Sequence, residues 1–457
     1  MKRLLPKLLI LIFVLVIASA CISACDDILP LGEKSVASLS DLDFYSEEGV
    51  SEDTVYTLTD DIVSDDFAPL NTDKNCPARG ILDGNGKTVK LTVKDHDDLS
   101  VISFFGYAKD FTVKNLTLDF CVEDSVKLVT DKTVLASLIG YAVENVTVDN
   151  VTVRFSASPA MTLREYYVDD DPSPRYSSDN VQYVGGLIGV SGGKTIVSDS
   201  SVSVSVSASD NSLDNLSGRE LYRKELYVGG LIAVSDPRSS TEIKSSSVTR
   251  MTVEAKADKA SVGGFAAIAS GCNVSDSAVE DYDFDLGFLD RIDVGGMVGS
   301  AYNASIESSE SFGTISVLKS LGSSSKKTVV NLGGIAGYFY GDFSKTYDVT
   351  SSVDSCTASI TASGNEIASS TARFSYGVGV LKNASFTGNT LSGQLTDVTR
   401  DDERFSSAAG DFFGEAIGSA VAENNVAETD FHYDVFIVGE HKEVSDDGEI
   451  TPTLPRV

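Results

Sequence analysis

Five short stretches of this chain are near copies of one another: Val184-Gly-Gly-Leu-Ile-Gly189, Val228-Gly-Gly-Leu-Ile-Ala233, Val262-Gly-Gly-Phe-Ala-Ala267, Val294-Gly-Gly-Met-Val-Gly299 and Leu332-Gly-Gly-Ile-Ala-Gly337. A recurring supersecondary unit constrains architecture more than any local propensity does, because each copy must bury its apolar face against the next. Weaker copies lie upstream, Ser103-Phe-Phe-Gly106 and Ser137-Leu-Ile-Gly140, and downstream, Gly377-Val-Gly379 and Phe412-Phe-Gly414. The signatures end at 106, 140, 189, 233, 267, 299, 337, 379 and 414, so successive spacings are 34, 49, 44, 34, 32, 38, 42 and 35. A fixed signature at a variable period suits a β-solenoid, whose loops absorb length changes while its strands stay in register.

After each signature comes a polar turn and then alternating residues. Val143-Glu-Asn-Val-Thr-Val-Asp-Asn-Val-Thr-Val153 and Ile243-Lys-Ser-Ser-Ser-Val-Thr-Arg-Met-Thr-Val253 show the pattern, and Ser201-Val-Ser-Val-Ser-Val-Ser-Ala208 is its clearest case. Strict alternation places the valines on one strand face and the serines on the other. β-Branched residues suit a pleated surface, and Asn and Asp at the turns tolerate left-handed backbone. The Gly-Gly pair is expected at a corner that needs positive φ or close approach by the next coil. The competing architecture is a string of hairpins or sandwich domains.

The Gly-Gly-Leu-Ile-Gly core, the Asn/Asp turn and the Val-x-Val strands together resemble the GLUG-type repeat of bacterial surface proteins. Tyr56-Thr-Leu-Thr-Asp-Asp-Ile62, Gly80-Ile-Leu-Asp-Gly-Asn-Gly-Lys-Thr-Val89 and Phe104-Phe-Gly106 look like the first coils of such proteins, and the resemblance runs from about Tyr56 to about Asn425. It implies an all-β chain folded as a right-handed parallel β-helix of about nine irregular coils. For function it implies a stalk or a binding surface. Some immunoglobulin-A peptidases carry these repeats beside a zinc protease domain. This chain has no His-Glu-x-x-His, so that activity does not transfer.

The first 25 residues read as a targeting segment. Lys2, Arg3 and Lys7 form a basic region and Leu8 to Ile17 an apolar one. Ile22-Ser-Ala-Cys25 resembles a bacterial lipobox, which makes Cys25 the expected lipidation site and places the rest outside the cytoplasm, held to a membrane by an N-terminal lipid. Ala18-Ser-Ala-Cys21 supplies an alternative lipobox or an ordinary cleavage site, and an uncleaved anchor is a third reading. The tail Thr451-Pro-Thr-Leu-Pro-Arg-Val457 has no apolar run or complete sorting motif, so attachment is expected from the N-terminus. Residues 26–54 read as an acidic tether, 55–430 as the GLUG-like β-helix, and 431–457 as a cap and tail, with Phe431-His-Tyr-Asp-Val-Phe-Ile-Val438 shielding the last coil.

Acidic residues outnumber basic ones 67 to 36, a net charge of −31. Such a surface repels nucleic acid, which is not an expected partner, and suits a soluble, exposed protein that attracts cations. Cys76, Cys121, Cys272 and Cys356 share no metal-like spacing. They read either as one disulfide, Cys76 with Cys121, or as small apolar residues inside the coil.

Asp281, Asp283 and Asp285 alternate with Tyr282 and Phe284, so their carboxylates share one face. They read as a calcium ladder or as a solvated outer face above a core of aromatics, and the Asp169–Asp171 loop has the same two readings. A β-helix polysaccharide lyase or hydrolase would set Arg250 or Arg291 beside Asp281 or Asp283. Sugar grooves commonly use tryptophan, and this chain has none; Tyr166-Tyr167 and Tyr338-Phe-Tyr340 are the substitutes, or simply packing. His96, His432 and His441 are scattered singly, and no Gly-x-Ser-x-Gly elbow is present. Sequons begin at Asn115, Asn145, Asn150, Asn215, Asn273, Asn303 and Asn383, where turn chemistry competes with glycosylation. The insertions Tyr166–Tyr176 and Asn211–Tyr222 are the expected binding loops.

The resulting expectation is a non-enzymatic cell-surface lipoprotein that displays an acidic β-helix for adhesion or ligand binding, to a host or surface protein or a glycan. No catalytic residue, metal or cofactor is assigned. A carbohydrate-active β-helix enzyme and a structural spacer are the alternatives.

Overall fold

A computed structural model describes residues 32–42, 54–94, 99–128, 132–158, 160–161, 165–168, 171–176, 180–208, 224–319, 328–341, 351–365, 370–396 and 408–428. Thirty-five strands join one sheet, and every pairing recorded within it is parallel; it is the stack of a parallel β-helix. Each full coil carries strands at four places. In one coil these are Asn180–Gly185, Ile188–Ser191, Lys194–Ser198 and Ser201–Ala208. They stack in turn on Lys224–Gly229, Ile232–Ser235, Ser240–Lys244 and Ser247–Gly263 of the next.

The alternation seen in the sequence is what fills the coil. Val202, Val204 and Val206 are buried, as are Val151, Val153, Val248 and Val253. All belong to one continuous core from Val36 to Ala420. Aromatics enter the same core, with Phe67 edge-on to Phe104 and Phe120.

The Gly-Gly corner is a matter of space. A Cβ on Gly186 would lie 1.8 Å from the Gly230 carbonyl oxygen of the next coil. A Cβ on Gly189, which ends the same signature, would lie 2.1 Å from Val134 Cγ1 of the previous coil. Neither residue has positive φ. Positive φ falls instead on the polar turns, at Asn115, Asn145, Asn150, Asn303 and Asn383 among others. The turn asparagines also bond along the axis: Asn150 Nδ2 donates to Asn115 Oδ1 at 2.9 Å, and Asn115 Nδ2 to Asp83 Oδ1 at 3.1 Å. Left-handed turn geometry thus accounts for these five sequon asparagines.

Two expectations need revision, and one insertion gains a structure. The stack does not begin at residue 55: Glu33–Val36, assigned to the acidic tether, pairs in parallel with Val55–Leu58, and Val36 is buried because its side chain covers the first coil. Cys76 and Cys121 form no disulfide; all four described cysteines are free, and Cys272 and Cys356 are buried as apolar residues of the interior. The insertion at Tyr166–Tyr176 holds a small antiparallel hairpin, Glu165–Val168 with Asp171–Tyr176, in a sheet of its own. Cys25, His96, His432, His441, Asn211–Tyr222 and the expected cap at 431–438 lie outside the described residues.

Candidate functional site

The residue immediately before each Val-Gly-Gly, like its counterparts before Leu332-Gly-Gly and Phe374-Ser375, points away from the core. In register these are Tyr183, Tyr227, Ser261, Asp293, Asn331 and Arg373. After the corner, a second row runs beside the first and includes Ser300, Tyr338, Val380 and Glu415. The rows meet across the corner: Ser300 Oγ donates to Asp293 Oδ2 at 2.9 Å, and Arg373 Nε donates to Glu415 Oε2. The corner is therefore a seam in which polar side chains of two faces touch.

Asp293 is the centre of this seam. It is 6% exposed. Its Oδ2 accepts from Arg291 Nε at 2.9 Å and Oδ1 from Asn331 Nδ2 at 2.7 Å, in addition to the Ser300 hydroxyl. Burial of a carboxylate is tolerated only with this degree of pairing. Burial works against charge on Arg291, but the Asp293 carboxylate outweighs it, and the guanidinium is held above its ordinary value. Arg373 Nη1 lies 3.5 Å from Asn331 Oδ1 and extends the network by a further coil.

Tyrosines flank the charges. The Arg291 guanidinium lies 5.4 Å from the Tyr338 ring centre, and Lys382 Nζ 4.9 Å from that of Tyr340. Tyr302 packs against Tyr338 at 6.0 Å and Tyr340 at 6.2 Å. Burial, and then the Asp293 charge, push the Tyr302 hydroxyl up. Further along the seam Tyr183 stacks on Tyr227 at 5.3 Å and Tyr107 on Tyr141 at 4.8 Å. Tyr227 donates to Glu225, whose other oxygen takes Lys259 Nζ at 2.8 Å.

The aspartates singled out in the sequence lie elsewhere. Asp281, Asp283 and Asp285 are exposed, while Tyr282, Phe284 and Leu286 fill the core. Asp283 sits between Thr252 and Thr314, and Asp285 between Glu254 and Ser316. Among the described residues no three His, Cys, Asp or Glu converge to hold a metal. Arg250 Nε reaches Asp281 Oδ2 at 3.9 Å, with both side chains largely exposed. Arg291 does not join them. The strand Ala278–Gly295 serves two coils: its first part stacks on Ser247–Ala257, and Arg291–Gly295 on Lys259–Gly263.

Asp293, Asn331, Arg373 and Glu415 were not anticipated. The signal for Asp293 and Asn331 was the position directly before the signature, which varies freely while the signature does not; Arg373 precedes Phe374-Ser375, where the signature has degenerated. Tyr338 and Tyr340 were anticipated; both face outward while Phe339 between them is buried. No known protein family matches this chain, and neither a curated protein nor a solved structure does.

Proposed function

We propose that this chain is a cell-surface lipoprotein, anchored through a lipid on Cys25, whose GLUG-like β-helix is a non-enzymatic glycan-binding surface. The observation that carries the reading is the seam at Arg291 and Asp293. It combines outward tyrosines and cations along the axis of the stack, the mixture that gives sugars both ring faces and hydrogen-bond donors. The carboxylates there are already committed. Asp293 is bound by Arg291, Ser300 and Asn331, and Glu415 by Arg373, which suits a fixed surface better than a group that must exchange protons during turnover.

Two measurements test this. The wild-type protein should fractionate with membranes, and Cys25→Ser should release it while Cys21→Ser does not; a mature terminus at Cys21 would replace the anchoring reading. A panel of immobilised polysaccharides should retain the protein without being shortened, and Tyr338→Ala should reduce retention. Reproducible cleavage would favour the carbohydrate-active enzyme, and no retention at all the spacer.

A further inference from the structure

Around Arg291 the charge exposed by the seam runs against that of the chain, although two coils further on the order reverses, with the Glu415 side chain 29% exposed and its partner Arg373 22%. Over the whole sequence acids outnumber bases 67 to 36, yet the charge that the seam offers to solvent near Arg291 is cationic. The Asp293 side chain is 8% exposed, whereas the Arg291 side chain that it holds is 41% exposed. Lys259 likewise stands further out, at 39%, than its partner Glu225, at 24%. Lys382 lies over Tyr340 and has no carboxylate partner among the described residues.

The geometry also leaves Arg291 a free edge. Nε and Nη2 both face Asp293 Oδ2 at 2.9 Å, and Nη1 has no hydrogen-bond partner among the described residues. The guanidinium is thus held at one edge by a buried carboxylate and on one face by the Tyr338 ring. A guanidinium fixed in this way loses little freedom when its open edge takes an oxyanion.

We infer that the seam from Arg291 to Lys382 binds an acidic polysaccharide, one bearing a carboxylate or sulfate on its sugar rings; this rests on the glycan-binding reading above. Coils repeat at about 4.8 Å, close to the span of one pyranose, and Arg291 with Tyr302, Tyr338 with Tyr340, and Lys382 occupy three successive coils, so the two cations stand about two sugars apart. Tyr302, Tyr338 and Tyr340 supply apolar ring surface, and Arg291 and Lys382 supply the counter-charges. A peptide would instead seek a free strand edge, and here the strands on both sides of the seam are consumed by coil stacking. The net charge of the chain does not forbid a polyanion, because at physiological salt the field of distant carboxylates is screened beyond about 8 Å.

The test uses the full-length protein with polygalacturonate, its fully methyl-esterified form, and dextran sulfate beside dextran. The inference expects binding to at least one acidic polymer about tenfold tighter than to its uncharged counterpart. Arg291→Gln and Lys382→Gln should each weaken that binding severalfold; Lys382→Gln should leave the melting temperature unchanged, whereas Arg291→Gln, which takes the cation from the buried Asp293 carboxylate, should lower it. A preference for polygalacturonate or for dextran sulfate identifies the carboxylate or the sulfate as the group recognised. Equal binding to charged and uncharged polymers overturns the inference while leaving glycan binding in place. Retention by no polysaccharide overturns both. Undiminished binding in Lys382→Gln, a change that disturbs no buried group, also overturns it.

Discussion

The Ser277 hydroxyl takes the backbone N–H of Ser246 in the previous coil at 3.2 Å and donates to its own strand, to Ser275 O, at 2.7 Å. The same bond pair recurs above and below. Ser246 accepts from Ser200 N and donates to Lys244 O; Ser309 accepts from Ser277 N and donates to Glu307 O. The column then changes chemistry, with Cys356 N donating to Asn389 Oδ1 at 2.9 Å and Asn389 N to Asn425 Oδ1 at 3.0 Å. These side chains close the backbone gap at a corner where the ladder of strand bonds is interrupted.

Ser277→Ala should therefore destabilise the stack by about 1–3 kcal/mol, the cost of leaving the buried Ser246 amide without its acceptor, while Ser275 O keeps the Ser245 N–H at 3.2 Å. Denaturant unfolding reads the loss, and hydrogen exchange at the Ser246 amide should accelerate locally. Unchanged protection at Ser246 would show that the hydroxyl is not its acceptor.

The periodic part of this architecture was legible in the sequence because a repeat reports itself. Val202, Val204 and Val206 alternate, and burial follows. The Gly-Gly corner was legible too, with close approach rather than positive φ as the reason. The seam was not legible as a site. Asp293, Asn331 and Arg373 are 38 and 42 residues apart in the chain and meet only through the register of the coils. Asp283 and Arg291 mislead for the converse reason, since eight positions along one strand carry them onto different faces. Glu33–Val36 was hidden because a four-residue strand in an acidic segment offers too little pattern to detect.

Gly186→Ala should be disruptive and Gly192→Ala tolerated. The added methyl at 186 would overlap the Gly230 carbonyl and Val204 Cγ2, at 1.8 and 2.8 Å, so two coils would have to part. At 192 the nearest atom, Ala142 O, is 3.6 Å away, an ordinary contact. Overpacking of this kind typically costs about 1–3 kcal/mol or more. Comparing the two melting temperatures checks the point, and equal values would remove spacing as the reason for the signature glycine.

The free cysteines should divide by burial. Cys272 and Cys356 are 1% exposed, and burial pushes each thiol up to about 12. With the folded value above the unfolded one, their contribution to stability is fully present below the unfolded thiol value and is lost as pH rises toward 12. In the folded protein at neutral pH an aromatic disulfide reagent should label Cys76 and Cys121 and spare Cys272 and Cys356. All four should react in denaturant. Prompt native labelling of Cys272 would show that the interior opens readily.

Tyr282→Phe should stabilise the protein. The ring packs on Phe284 at 5.0 Å and stacks in register over Gly313, whose missing side chain makes the space that the ring occupies. The hydroxyl reaches toward Gly296, where a Cβ would lie 2.7 Å from it, and it has no hydrogen-bond partner among the described residues. The orphaned hydroxyl forfeits the bonds it made to water, so removing it while keeping the ring should gain about 1 kcal/mol. The gain should grow in alkali. Burial raises the folded hydroxyl above its ordinary value, so the unfolded state ionises first, and stability present below about pH 10 is lost above it. Phenylalanine has no such loss. Denaturant unfolding at pH 7 and at pH 11 measures both effects, and a destabilised Tyr282→Phe variant would mean that the hydroxyl has a partner, such as an internal water, that holds the coil together.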